Sequence, residues 1–258
     1  MTNLLAAALL TAIAAFAPID RFVTVNGLAL HIRCSGDRTA GSALVVLEAG
    51  ANQAIKTWDN VFGPIAQFAR VCAYERPGIG QSAASADEPS IGASVETLHA
   101  LLEAAAEPPP YVMVGHSWGG ALVQLFARRH ASEVTGLVLI DATHEQQEQR
   151  FAALVDGRNE SAAHSGPFSG EPLDTVGLER ELSAPWHSDI PLIVLAHSPS
   201  TDPVDDPRVG ALLQELGRDL STRSSRGEFI VAQKGVGHFI QNQQPALVIE
   251  SIRRIVDK

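Results

Sequence analysis

The chain has 258 residues, of which 45% are hydrophobic and 19% are charged, enough apolar sequence for one well-buried core in a single domain. This composition excludes a long disordered protein. The net charge is -10, and the sequence has no long run of Lys or Arg, so it argues against nucleic acid as a partner.

An apolar run at residues 4–17 opens the chain. It is too short to cross a bilayer, which needs about 20 apolar residues, but it has the length of a signal-peptide core. A small-x-small cleavage site ends the run, although no Lys or Arg precedes it and Pro18 follows. We expect residues 1–17 to be a signal peptide that exports residues 18–258, with an N-terminal helix packed on the body as the alternative.

Eight segments have the composition of β-strands. Asn26-Gly27 separates the first two and is a strong hairpin signal, so we predict these two strands to be antiparallel neighbours. The others are continuous apolar runs that alternate with helical sequence, which predicts an α/β fold with an eight-stranded, mostly parallel sheet and helices on both faces. The predicted strands are 22–25, 28–33, 44–47, 71–74, 111–114, 137–140, 192–195 and 229–232.

Residues 142–190 break this alternation, because they are polar and rich in Gly and Ser, with weak helical periodicity around Phe151, Leu154 and Val155. The segment is too short for an independent domain, so we predict a small lid inserted after the sixth strand.

The metal-binding residue types show no ligand pattern. Cys34 and Cys72 are spaced neither as metal ligands nor as a redox pair, so they are either buried thiols or one disulfide. The nine histidines include no His-Glu-x-x-His. We predict neither a metal ion nor another cofactor.

The fifth predicted strand leads directly into Gly-His-Ser-Trp-Gly-Gly at 115–120, and helical sequence follows. A strand-to-helix turn this tight needs small residues two before and two after its serine, and Gly115 and Gly119 supply them. Such a turn holds the serine in a strained conformation and directs helix N–H groups at developing negative charge. We predict Ser117 to be a nucleophile.

An activated serine needs a general base, which in this architecture lies on the loop after the last strand. His238 stands there, and Gly237 beside it lets the loop approach the serine closely. We predict His238 to be the base. We assign no catalytic role to His31, His99, His130, His164 or His187.

The base needs a carboxylate that accepts the Nδ1–H of its imidazole. The usual position follows the seventh strand, where Asp202, Asp205 and Asp206 lie. A second geometry places the carboxylate at the tip of the sixth strand, where Asp141 stands, although Asp141 could instead cap the first turn of the lid. The residues alone leave this choice open.

An acyl-transfer site also needs an oxyanion hole, with one N–H from the residue after the nucleophile and one from the loop after strand three. Trp118 would give the first N–H. Gly50 permits an unusual turn that would present the N–H of Ala51 as the second.

Five ordered segments of the chain resemble a bacterial branch of the α/β-hydrolase superfamily. They are Leu-Glu-Ala-Gly at 47–50, Val-Cys-Ala-Tyr-Glu-Arg-Pro-Gly-Ile-Gly-Gln-Ser at 71–82, the serine segment at 115–120, Leu-Val-Leu-Ile-Asp-Ala-Thr-His-Glu at 137–145 and Gly-His-Phe-Ile-Gln at 237–241. The resemblance favours Asp141 as the acid. One departure from the wider superfamily is Glu48-Ala49, where many members carry His before the glycine.

The resemblance implies two-step hydrolysis of a small-molecule substrate, with carboxylic esters favoured over amides, lactones and the C–C bonds of β-diketones. Serine at 117 argues against haloalkane dehalogenases and epoxide hydrolases, which need a carboxylate there. The alternative outside the enzymes is a non-catalytic ligand-binding protein with this fold. In the usual strand order Cys34 and Cys72 lie on adjacent strands, so export would favour a disulfide. The sequence predicts no oligomeric state.

Overall fold

The computed structural model describes residues 19–39, 41–88, 90–154, 171–199 and 206–258. The predicted signal peptide or N-terminal helix at 1–17 lies outside the described residues, as do Asp202, Asp205 and the middle of the predicted lid. None of the helices in the described ranges is long and apolar enough to span a membrane.

The described chain forms one eight-stranded sheet in the order β1-β2-β4-β3-β5-β6-β7-β8. β2 is antiparallel to both β1 and β4, and all other neighbours are parallel, which confirms the predicted fold class. The strands are β1 Ile19–Val25, β2 Leu28–Ser35, β3 Leu44–Glu48, β4 Val71–Tyr74, β5 Tyr111–His116, β6 Val134–Ile140, β7 Leu192–Ala196 and β8 Gly227–Val231.

The predicted hairpin joins β1 to β2. Asn26 and Gly27 both have positive φ, 50° and 82°, which is the conformation of a tight turn whose twist matches that of the strands. Helices connect most of the later strands. They are α1 Asp59–Ile65, preceded by a 3-10 turn at Ile55–Trp58, α2 Ile91–Ala104, α3 Trp118–Arg129, α4 Gln147–Leu154, α5 Thr175–Leu182, α6 Pro207–Ser221, α7 Ile240–Gln243 and α8 Pro245–Val256.

The sheet is buried on both faces, which explains why its strands are apolar without interruption. In β3, Leu44 and Val46 face the core under α2, α3 and α5, whereas Val45 and Leu47 face the core under α1 and α8. Each such buried side chain stabilises the fold by roughly 1.5–3 kcal/mol. A sheet fixed in this way holds the loops that follow its parallel strands at one edge, here called the carboxyl edge.

The segment after β6 is only partly separate from the body. The helix α4 buries no side chain, as expected of a polar lid. By contrast, α5 buries Leu178 and Leu182 in the core beside α2 and α3. Within the predicted lid at 142–190, α5 therefore contributes to the body of the domain.

The two cysteines form a disulfide. Cys34 in β2 lies opposite Cys72 in β4, and their Sγ atoms are 2.07 Å apart. Of the two alternatives left by the sequence, the structure has the bridge rather than the buried thiols.

Candidate active site

Ser117 lies at the turn between β5 and α3, where its backbone has the strained values φ 52° and ψ −123°. A Cβ on Gly115 would lie 2.4 Å from the carbonyl oxygen of Gly119, and one on Gly119 would lie 2.3 Å from that of Glu48. Both positions therefore exclude any larger residue. The turn has the geometry that the sequence predicted for a nucleophile.

The end of β6 runs directly beside this turn. The Ser117 N–H donates to the carbonyl of Ile140, and the Thr143 N–H donates to the carbonyl of Ser117, both at 3.0 Å. Asp141, which lies between Ile140 and Thr143, is thereby held next to the serine.

His238 lies on the loop after β8, and a second histidine anchors its backbone. The Nε2–H of His116 donates to the His238 carbonyl at 3.0 Å, and the two rings lie 4.6 Å apart. Burial, with a contribution from the charge of His238, lowers the pKa of His116 to about 3. His116 is therefore a neutral anchor, and it brings His238 to the residue that precedes Ser117.

Asp141 contacts His238. Its Oδ2 lies 2.6 Å from Nδ1 of His238, and its backbone has φ 44°. Of the alternative acids, the described one, Asp206, is exposed, caps the start of α6 and pairs with Arg208 at 2.6 Å. The structure thus brings Asp141, and not Asp206, to the predicted base.

A third histidine, His197, was not predicted at the site. It follows β7 directly, and its Nδ1 lies 2.8 Å from Oδ1 of Asp141, which also accepts the His197 backbone N–H at 3.1 Å. Burial alone would raise the pKa of Asp141, but hydrogen bonds from His197 and His238 lower it below its usual range. The hydrogen bond to Asp141 in turn raises the pKa of His197 against the opposite effect of burial. Asp141 is therefore held as a carboxylate between two imidazoles.

The two residues predicted for the oxyanion hole are both buried, Ala51 at 4% and Trp118 at 5% exposure. Trp118 begins α3, so its N–H has no partner within the helix. Among the described residues the Ala51 N–H has no acceptor either. There is no space for a side chain between Gly119 and the carbonyl of Ala49, so the loop after β3 packs directly against the serine turn.

Arg76 follows β4, and the sequence analysis assigned it no function. Its Nη1 donates to the Ala49 carbonyl and its Nη2 to the Gly50 carbonyl, both at 2.7 Å. Burial alone would lower the pKa of Arg76, but the adjacent carboxylates of Glu171 and Glu48 raise it. A charged guanidinium thus lies directly behind the loop that carries Ala51.

A groove of about 580 Å³ adjoins this loop. Phe239, next to His238, and Asn52, next to Ala51, both line it. The groove is open to solvent, and it is lined by polar side chains such as Lys56 as well as by apolar ones such as Ile79.

One further cluster has metal-binding residue types, at the opposite, amino edge of the sheet. His99, His130 and Glu133 have ligand atoms within 4.8 Å of one another. The two rings are stacked 4.0 Å apart at 6°, so their nitrogen lone pairs lie in two nearly parallel planes and cannot both point at one ion. We infer no metal site there.

Comparison with known proteins identifies the family to which this chain is similar. The model of the alpha/beta hydrolase fold family matches residues 43–183, more than half of the chain. The protein YqjL of Bacillus subtilis is 30% identical over 123 residues, which are 48% of this chain and 48% of YqjL. The chain thus spans about half the length of this relative. Lipase LipV of Mycobacterium tuberculosis is 26% identical over 194 residues, covering 74% of this chain and 72% of LipV.

Solved structures share the fold over nearly the whole chain. The enol-lactonase from Burkholderia xenovorans LB400 superposes with a TM-score of 0.65 at 16% identity, covering 92% of this chain and 100% of that one. A thermophilic esterase from Thermogutta terrifontis gives a TM-score of 0.63 at 18% identity, covering 93% and 97%. At these identities the likeness concerns the fold, and together with the family match it leads to one conclusion: the chain belongs to the alpha/beta hydrolase fold family.

Proposed function

We propose that this chain is a serine hydrolase that cleaves carboxylic esters through an acyl-enzyme intermediate. The observation that carries the proposal is the 2.6 Å contact between Asp141 Oδ2 and His238 Nδ1, formed beside the strained turn at Ser117. A carboxylate there keeps a proton on Nδ1 and leaves the lone pair on Nε2, which is the tautomer that accepts a proton from serine.

In the first half-reaction, Ser117 Oγ attacks the ester carbonyl carbon while Nε2 of His238 takes the serine proton. The carbonyl oxygen becomes an oxyanion, which accepts hydrogen bonds from the N–H groups of Ala51 and Trp118. The bond to the leaving oxygen then breaks, and His238 gives its proton to that oxygen, so an alcohol departs and an acyl-serine remains.

In the second half-reaction, His238 takes a proton from water as the water oxygen attacks the acyl carbon. The bond to Ser117 Oγ breaks, the proton returns to that oxygen, and a carboxylic acid leaves. Asp141 stays ionised throughout, as its lowered pKa requires, and stabilises the imidazolium that forms twice in the cycle.

We propose esters of short acids as the substrate class. The groove beside the oxyanion loop places polar side chains, among them Asn52 and Lys56, beside the apolar Ile79 and Phe239, so only part of a long alkyl chain would meet apolar surface there. The same machinery serves amides, lactones and β-diketones, so these are the alternatives within the hydrolase class. The five segments that resemble one bacterial branch of the family support its assignment to that branch.

A panel of chromogenic esters of increasing acyl length, run beside an amide and a lactone, tests this function. We expect turnover of short-chain esters that falls as the chain lengthens. If the lactone or the amide is turned over faster than the esters, the chain is instead a lactonase or an amidase. Binding of the panel without any turnover would instead support a non-catalytic ligand-binding protein.

We further propose that residues 1–17 direct export of a domain formed by 18–258. The Cys34–Cys72 disulfide supports this, because such bridges persist in oxidising compartments and are rare in the cytosol. Mass spectrometry of the protein recovered from its native compartment, without reductant, should find no free thiol and a chain that begins near Pro18. Two free thiols with an intact N-terminus would contradict the proposal.

A further inference from the structure

The loop after β3 is held from behind by one side chain. Arg76 is 4% exposed, and its guanidinium donates to the carbonyls of two consecutive residues, Ala49 and Gly50, each at 2.7 Å. Its Nη1 also donates to Glu48 Oε1 at 2.5 Å. The last residue of β3 and the first two residues of the loop are therefore fixed to a single planar group.

The planarity of the peptide bond carries this constraint to the other side of the loop. In a trans peptide, the C=O of one residue and the N–H of the next point in opposite directions. Because the Gly50 carbonyl points at Arg76, the Ala51 N–H points away from Arg76. The direction of the proposed oxyanion donor is thus set by a residue that lies behind it.

A second residue holds the guanidinium and the far side of the same loop. Glu171 accepts from Arg76 Nε at 2.6 Å and from Nη2 at 2.7 Å. It also exchanges two hydrogen bonds with Asn52, the Asn52 N–H donating to Oε2 at 2.7 Å and the Glu171 N–H donating to Oδ1 at 2.5 Å. Ala51 is therefore held on both sides, through Gly50 by Arg76 and through Asn52 by Glu171.

We propose that Arg76 and Glu171 are positioning residues for the oxyanion hole, and that together they fix the Ala51 N–H in the direction from which it stabilises the transition state. This inference rests on the proposed function. Donors fixed in advance act strongly because they need not reorganise as charge develops. A displacement of about 1 Å in such a group costs on the order of 10²-fold in rate.

A purely structural ion pair is the competing explanation, and the chain contains a matched example. Arg70 immediately precedes β4 and pairs with Glu107 at 2.5 Å, with side-chain exposures of 5% and 8%. Both arginines are buried, both chelate a carboxylate and both donate to a loop carbonyl, Arg70 to that of Gly36. Of these two arginines, Arg76 alone donates to the loop after β3, at the carboxyl edge of the sheet.

The test compares Arg76→Lys with the control Arg70→Lys on a short-chain ester and on the thionoester of the same acid and alcohol. Lysine keeps the charge but cannot direct two fixed N–H groups at two carbonyls. We expect Arg76→Lys to lower kcat on the ester by about 10- to 100-fold with little change in KM. The loss on the thionoester should be smaller, because sulfur is a weak hydrogen-bond acceptor and uses the oxyanion hole less.

The ratio of ester to thionoester turnover separates positioning from folding. It should fall in Arg76→Lys and stay at the wild-type value in Arg70→Lys. An unchanged ratio in a folded Arg76→Lys overturns the inference and leaves the proposed function intact, whereas a wild-type protein without ester turnover removes both. Should Arg76→Lys fail to fold, the ratio in Glu171→Gln decides the question in the same way.

Discussion

Among the described residues, two clusters each combine a pair of histidines with one carboxylate. At the carboxyl edge of the sheet, Asp141 lies 2.6 Å from His238 and 2.8 Å from His197. At the amino edge, Glu133 lies 3.0 Å from His99, on which the ring of His130 is stacked. Both clusters combine two imidazoles with one carboxylate, and the surroundings differ.

The difference lies in the backbone and in the neighbouring loops. At the carboxyl edge Ser117 and Asp141 both adopt positive φ, a strained conformation that the surrounding hydrogen bonds maintain. His99, His130 and Glu133 are not among the described residues with positive φ, and they lie in a helix, at a helix end and before a strand. A shared set of side chains therefore does not define a site, whereas strain next to a potential nucleophile points to one.

The largest effect should come from the nucleophile and its base. Ser117→Ala and His238→Ala should each lower ester turnover by on the order of 10⁶-fold, because the two act as one unit. The double variant should be no worse than either single one, and His99→Ala should keep wild-type turnover. Initial rates on one chromogenic ester decide this. A double variant far slower than both single variants would show that Ser117 and His238 do not act as one unit.

Replacing the carboxylate of each cluster should have very different effects on turnover. Asp141→Asn should lower turnover by about 10⁴-fold by leaving His238 in the wrong tautomer. Glu133→Gln, the matched change at the amino edge, should have no measurable effect, and Asp206→Asn should be equally silent. The comparison uses kcat of the three folded variants. Wild-type turnover by Asp141→Asn would reduce Asp141 to an anchor of the segment after β6.

The smallest effect concerns His197, whose pKa is raised by Asp141. In the unfolded chain an imidazole titrates near 6.5, so the ion pair stabilises the fold fully below that pH. This stabilisation is lost as the pH rises through the higher folded-state pKa, while Asp141 stays ionised. His197→Asn should therefore lower the free energy of unfolding by on the order of 1 kcal/mol near pH 5.5, and by less near pH 9. Urea unfolding of both proteins at the two pH values measures this, and a pH-independent difference would contradict it.

The sequence predicts the sheet well because each buried strand is a local apolar run. The ends of strands are less accurate: β1 begins at residue 19 rather than 22 and β6 at 134 rather than 137, since polar edge residues and Gly136 carry no apolar signal. Ser117 and His238 could be predicted because the strand-turn-helix motif and the last loop fix their places in chain order. Between Asp141 and the later aspartates, the preference came from the family resemblance and from the expected position of the sixth strand beside the nucleophile strand.

The remaining contacts of the site join loops that are distant in the chain. His197 is 56 residues from Asp141, and Glu171 is 95 from Arg76, so no local pattern marks either pair. His197 directly follows β7, the strand after which the alternative acids were considered. A search of that loop for any hydrogen-bonding side chain, rather than for acids alone, would have found it.

Covalent labelling shows directly whether Ser117 is an activated nucleophile. Treatment with a fluorophosphonate, which traps activated serines by forming a phosphonyl ester as fluoride leaves, should add one group per chain, located at Ser117 by peptide mass spectrometry. Ser117→Ala should remain unlabelled under the same conditions. An unmodified wild-type chain, or an adduct that persists in Ser117→Ala, would contradict the claim.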